Sequence, residues 1–141
     1  MAAFNKVFSF VEYLAEGKIN FDSDALKIVL TNTAPTTANS ILSDLAEISS
    51  GFGYTTGGLA VTVASSGQTS GTYKLVLDDL VITASGGNIG PFRYFVVVDT
   101  TPVSPNKPIV GWWDYGASTT LTDGNSITVD FSSSNGALQI A

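Results

Sequence analysis

The sequence predicts a mainly β protein, a jelly roll or antiparallel β-sandwich preceded by one N-terminal amphipathic helix. Three observations lead there. Short runs of Val, Ile, Thr, Phe and Tyr recur between clusters of Gly, Ser, Asn and Asp, at the spacing of strands and turns in a sandwich. A helical period of apolar residues occurs only at the start of the chain. Hydrophobic residues make up 44%, enough to fill a core, while only 13% are charged, so Ser, Thr, Gly and Asn must make the surface. With 141 residues, no internal repeat and no long linker, a single domain spanning 1–141 is expected. Its helix would occupy residues 1–17 and its sandwich residues 18–141.

In order along the chain, residues 3–16 read as the helix. Phe4, Val7, Phe8, Val11 and Leu14 fall at i, i+3, i+4, i+7 and i+10, and Gly17 supplies a stop. Phe10 and Tyr13 widen the apolar surface beyond what a small core needs. The helix therefore either lies across the open end of a sheet or docks on a neighbouring subunit. Lys18–Phe21 reads as a short strand, Asp22-Ser23-Asp24 as a turn and Ala25–Leu30 as a strand. Within Thr36–Ser50, the spacing of Ile41, Leu42, Leu45 and Ile48 fits one or two helical turns capped by Asn39 or Ser40. Gly51–Gly58 is a glycine-rich loop without the Gly-Lys-Ser/Thr ending or the following helix of a phosphate loop. Its glycines read as turn formers with positive φ.

Leu59–Ala64, Tyr73–Asp78 and Leu80–Ala84 are three more strands, and Ser85–Asn88 is a turn. The centre of the chain is Pro91–Tyr115. Phe92–Val98 is β-branched and aromatic throughout, Asp99–Lys107 is proline-rich and irregular, and Pro108–Trp113 returns as a strand. The two strands form a central hairpin or cross between packed sheets. A polar connection follows Tyr115, Thr122–Asn125 is a turn, Ser126–Phe131 alternates as a strand, and Ala137–Ala141 ends the chain as another. Eight or nine strands result, with Lys27 and Lys74 placed to blunt exposed edges.

Residue types restrict the chemistry. There is no cysteine and no histidine, which removes thiolate nucleophiles, disulfides and the commonest general base and transition-metal ligand. A serine nucleophile would need a lysine base instead. Of the 12 acids, the pairs Asp22/Asp24 and Asp78/Asp79 sit beside turns and read as solvated acids rather than calcium ligands. No catalysis, no cofactor and no metal are expected. The net charge of −6, with six basic residues, argues against nucleic acid and against an anionic membrane surface as partners. No apolar run of about 18 residues suggests a membrane helix. No secretory signal is visible either, which suggests synthesis in a reducing cytoplasm.

Candidate contact residues come from surface and shape. Adjacent strand residues point to opposite faces, so one of Trp112 and Trp113 is core and the other free to anchor an interface or stack on a sugar. Tyr115 shares the face of Trp113, and Asp114 stands beside them. The connection Thr101–Pro108 is rigid and uncharged except for Lys107. The candidate protein interface is thus Phe4, Phe8, Val11, Trp113, Tyr115, Pro102, Pro105 and Lys107.

Several stretches together carry a resemblance. The initial helix followed by Leu26–Pro35 (LKIVLTNTAP), Gly53–Gly58 (GYTTGG), Ser70–Leu75 (SGTYKL), Gly90–Tyr94 (GPFRY) and Gly111–Gly116 (GWWDYG) resemble the capsid cement, or head-decoration, proteins of tailed bacteriophages. The likeness runs over nearly the whole chain. It implies a jelly roll made in the bacterial host cytoplasm and bound to the outer capsid surface of the virion. There it would bridge major capsid proteins as a small homo-oligomer, a dimer rather than a trimer, without catalysis. The alternative expectation is a glycan- or receptor-binding module of a tail or fibre, built on Trp112, Trp113, Tyr115 and Asp114.

Overall fold

A strip of chain rolled back over itself organises the molecule. The structure, a computed structural model, describes residues 3–141. Its strands are β1 (Asn5–Lys6), β2 (Leu26–Thr31), β3 (Leu59–Val61), β4 (Val63–Thr69) and β5 (Thr72–Leu77), then β6 (Leu80–Thr83), β7 (Ile89–Asp99), β8 (Ile109–Leu121), β9 (Ser126–Val129) and β10 (Leu138–Ile140). One helix, α1 (Phe8–Ala15), lies near the N-terminus. β7 and β8 form a hairpin, β6 pairs with β9, and β5 pairs with β10, all antiparallel. Each strand leading into the hairpin therefore meets the strand leading out of it. The sheets are ordered β1-β8-β7-β2-β3, β10-β5-β4 and β6-β9. The fold is the mainly β, antiparallel sandwich with an N-terminal helix that the patterning predicts.

β2 and β7 lie inside the five-stranded sheet and are buried on both faces. Ile28, Val29 and Leu30 and their neighbours Val96, Val97 and Val98 are all sealed from solvent. That is why both strands read as continuous apolar runs rather than alternating ones. Register puts Leu30 opposite Phe95 and Phe95 opposite Trp113, so these three share one face. Trp113 is buried there, its ring 5.2 Å from Phe4 and 5.4 Å from Phe131. β2 runs past the end of β3, and its outer edge is covered instead by loop residues. Ile48 N–H donates to Leu30 C=O (3.1 Å), and Leu30 N–H donates to the Tyr54 hydroxyl (3.1 Å).

The helix is shorter than its apolar period suggests. Asn5 and Lys6 pair with Trp112 and Gly111 of β8, and Val7, fully buried, donates its N–H to Val110 C=O (3.3 Å). Gly111 makes this possible. A Cβ there would fall 2.4 Å from both the Phe4 ring and Asn5 C=O. Residues before Phe8 thus join the sheet, and the helix that follows turns Phe10 inward with Tyr13 and Leu14 packed on the core. Phe10 is 4% exposed, whereas Phe8 and Val11, members of the apolar stripe and of the candidate interface, are 69% and 51% exposed. Gly17 ends the helix at φ 72°, as expected.

Other differences have local causes. Lys18–Phe21 is turn and irregular chain, although Ile19 and Phe21 are buried. The stretch Thr36–Ser50 holds one 3-10 turn, Leu42–Asp44. Asp44, not Asn39 or Ser40, secures it by accepting from Ser40 N–H (2.9 Å) and Ile41 N–H (3.1 Å). Leu59–Ala64 breaks at Thr62, where the chain leaves one sheet for another. β8 continues to Leu121 through residues expected to be a polar connection, held by pairing of Phe92 with Thr119 and Ile89 with Leu121.

Candidate docking end and inter-sheet cleft

At the tip of the β7–β8 hairpin, the proline-rich connection makes a small closed turn of its own. Asp99 N–H donates to Pro108 C=O (2.9 Å), Lys107 N–H to Pro102 C=O (3.0 Å), and Val103 bridges Asn106. Pro102, Pro105 and Pro108 stiffen it by fixing φ. Val103 projects at the tip, 83% exposed, while Pro102, Pro105 and Lys107 are half-buried. Segment 37–42 links this turn to α1: Leu42 N–H donates to Lys107 C=O, Ile109 N–H to Ser40 C=O, and Phe8 N–H to Thr37 C=O, each at 2.9 Å. Three expected contact residues, Pro102, Pro105 and Lys107, therefore lie on this turn, and Phe8 is tied to it through segment 37–42, while Val11 lines a separate groove beside Phe4 and β10. Phe4 and Trp113 do not join them. Both are spent on packing against each other, so Trp113 is a core residue rather than a surface anchor.

Beneath the hairpin tip lies a buried acid. Asp99 is fully enclosed, its Oδ1 accepting from Thr101 N–H (3.2 Å) while Oδ2 has no partner. Burial first, and then the neighbouring Asp24 carboxyl, push the Asp99 carboxyl up to about 8. The turn carrying Asp24 is clamped to the base of the hairpin. Thr100 N–H and Oγ1 both donate to Ala25 C=O (2.9 Å each), and Ala25 N–H donates to Thr101 Oγ1 (2.8 Å). Asp22 is exposed, as expected of a turn acid, but Asp24 turns inward. The sequence carries no sign of this pair, because its members come from distant turns.

A second feature opens between the five-stranded sheet and β9. It is a cleft of about 280 Å³ with Phe95, Trp113 and Val129 as floor and Asp114, Tyr115, Thr128 and Asp130 around it. Tyr115 is half-exposed, its ring edge-on to Phe95 at 5.7 Å and 83°. Asp114 is held by Arg93 in a forked pair, Nε to Oδ1 at 2.8 Å and Nη2 to Oδ2 at 3.1 Å, with Gly116 N–H also donating to Oδ1 (2.8 Å). The guanidinium first, and then the Gly116 amide, hold this carboxyl below the usual carboxylate range. Trp112 is half-buried on the opposite face of β8 from Trp113.

The glycine-rich loop is structural. Tyr54 reaches from it into the core and donates its hydroxyl to Glu47, which also accepts from Gly57 N–H (2.7 Å). Gly53 and Gly58 have positive φ, and a Cβ on either would strike backbone carbonyl oxygens, Thr83 at 2.2 Å and Ile28 at 2.8 Å. Ser104 and Lys107 have the Ser-x-x-Lys spacing, a signal passed over in the sequence. They stand on the tight hairpin turn rather than on a helix, where residues three apart share a face. Among the described residues, no three or more acids converge as a metal site. Comparison with protein-family models, curated proteins and solved structures gives no match to this chain.

Proposed function

We propose that this chain is a non-enzymatic cement protein of a tailed-bacteriophage capsid. In this reading it binds the outer surface of the shell and bridges major capsid proteins as a small homo-oligomer, a dimer in the first instance. The observation that carries it is the apolar, rigid end of the sandwich, where Phe8 (69% exposed) and Val103 (83% exposed) stand out from a surface poor in charge. Exposed apolar groups gathered at one end of a domain mark an interaction site. Prolines lower the entropy lost when the loop is immobilised. The net charge of −6 suits a basic protein surface. The sequence resemblance supports the same reading. Weak single contacts suffice because many copies act together on a fixed lattice.

Particles stripped of the protein and heated should release DNA at a lower temperature than decorated ones, and adding the protein back should restore the difference. An unchanged release temperature would overturn the reading. The inter-sheet cleft favours a second reading, a glycan-binding module of a tail or fibre. Copy number separates the two locations, since a shell takes hundreds of copies and a tail a handful.

A further inference from the structure

We infer that the cleft between β8 and β9 is a carbohydrate site that takes one neutral or amino-substituted pyranose ring. This deepens the glycan-binding reading but does not need a tail location. At about 280 Å³, the cleft falls just under the roughly 300–1,000 Å³ of pockets that enclose drug-sized molecules, a size suited to a single ring. Its floor of Phe95, Trp113 and Val129 is apolar, and its surroundings are acceptors. A sugar ring has the matching division, with C–H groups on one face and hydroxyl donors around the edge.

Tyr115 supplies the platform. Its ring is fixed edge-on by Phe95, so the half-exposed aromatic surface is set before any ligand arrives, and little rotamer freedom is lost on binding. Asp130 and Thr128 are exposed and line the cleft on either side of Val129. Among the described residues, neither side chain is engaged in a hydrogen bond within the fold, which leaves both open to ligand hydroxyls. Asp114 is a third acceptor. Arg93 and Gly116 occupy Oδ1 twice and Oδ2 once, which orients the carboxylate and leaves a lone pair of Oδ2 available. With Asp114 neutralised by Arg93, Asp130 is the unpaired carboxylate beside the aromatic ring, and it would repel uronic and sialic acids and accept from hydroxyl or ammonium groups.

The test uses the purified full chain and saturation-transfer NMR with methyl glycosides of glucose, galactose, mannose, N-acetylglucosamine, glucosamine and glucuronic acid. A saturable signal from at least one neutral or amino glycoside, with Kd on the order of 1 mM, is expected, and none from the glucuronide. Tyr115→Ala and Asp130→Asn should each weaken binding roughly tenfold. Asp130 is exposed, so Asp130→Asn should leave the melting temperature unchanged, whereas Tyr115→Ala, half-exposed and packed on Phe95, should lower it by a few degrees while leaving the protein folded. The inference is overturned if no glycoside saturates, if both variants bind as the parent does, or if the glucuronide binds best. It is equally overturned if methylguanidine, standing in for an arginine side chain, displaces the bound sugar and binds more tightly. None of these outcomes alters the capsid-heating result, so the two readings fail separately.

Discussion

The two faces of α1 should separate stability from docking. Phe10 is 4% exposed and packs on the core with its ring 5.8 Å from Phe21, whereas Phe8 is 69% exposed. An aromatic side chain buries about 150 Å² or more, and at about 25 cal/mol per Å² that is roughly 4 kcal/mol, in line with the ~3–5 kcal/mol typical of Phe→Ala in a core. Phe10→Ala should therefore lower the melting temperature by roughly 10–20 °C for a domain of this size. Less than a third of Phe8 is covered, so Phe8→Ser should cost about 1 kcal/mol and shift melting by only a few degrees. The same Phe8→Ser change, alone or with Val11→Ser, should prevent rebinding to stripped particles. Circular dichroism melts and co-sedimentation with particles measure the two effects. Equal destabilisation by Phe8→Ser and Phe10→Ala would refute the inward orientation of Phe10. Normal rebinding of the folded Phe8→Ser, Val11→Ser double variant would refute docking through this face.

Two further substitutions probe the framework that holds the docking end and the loops. Asp99 keeps its proton in the fold up to about 8, against 3.8 when unperturbed. Between those values the folded state binds more protons than the unfolded state, so raising the pH favours unfolding. The Asp99 contribution should be whole below about pH 4 and lost as pH rises through about 8. Urea midpoints should thus fall from pH 5 to pH 8.5 in the parent, and Asp99→Asn should flatten that fall. An identical slope in the variant would show that Asp99 titrates normally. Tyr54→Phe leaves the Leu30 N–H and one bond of Glu47 without a partner, at a cost of about 1–3 kcal/mol in urea unfolding. No loss would show that the hydroxyl anchors nothing.

The parts of the fold legible in the sequence are those where burial alone decides. Val96, Val97 and Val98 and the run Ile28–Leu30 could be little other than central strands, and they are. The tail of β8 was hidden because Gly116, Ala117 and Ser118 are exposed, show no apolar face and lie in the irregular stretch between the Tyr94–Asp114 and Phe92–Thr119 pairs. The start of the chain was misleading for the opposite reason. Phe4 and Val7 satisfy a helical period, yet an eight-residue helix has little stability of its own, so tertiary contacts set its limits. Pairing with β8 over Gly111 wins, and the apolar period splits, with Val7 and Phe10 buried and Phe8 left exposed. Asp24 and Asp99 were equally invisible, since acids in two separate turns carry no mark that the fold will press them together.

The proline-rich connection was legible as a rigid turn from composition alone, but its relation to the cleft depends on the register of one hairpin. Ile109 of β8 lies opposite Val98, beside the hairpin tip, and Trp113 lies opposite Phe95 at the cleft floor. From Ile109 to Tyr115 is six residues of extended strand, about 20 Å at 3.3 Å per residue. A partner seated on Val103 and Phe8 would therefore leave the Tyr115 platform uncovered. The rigid β7–β8 pair holds the two surfaces at that fixed separation, with Asp99 and its clamp under one and the Arg93–Asp114 pair beside the other. Occupying the cleft with sugar should consequently leave binding to particles unchanged. Competition between them would mean that the docked partner extends along β8 as far as Tyr115.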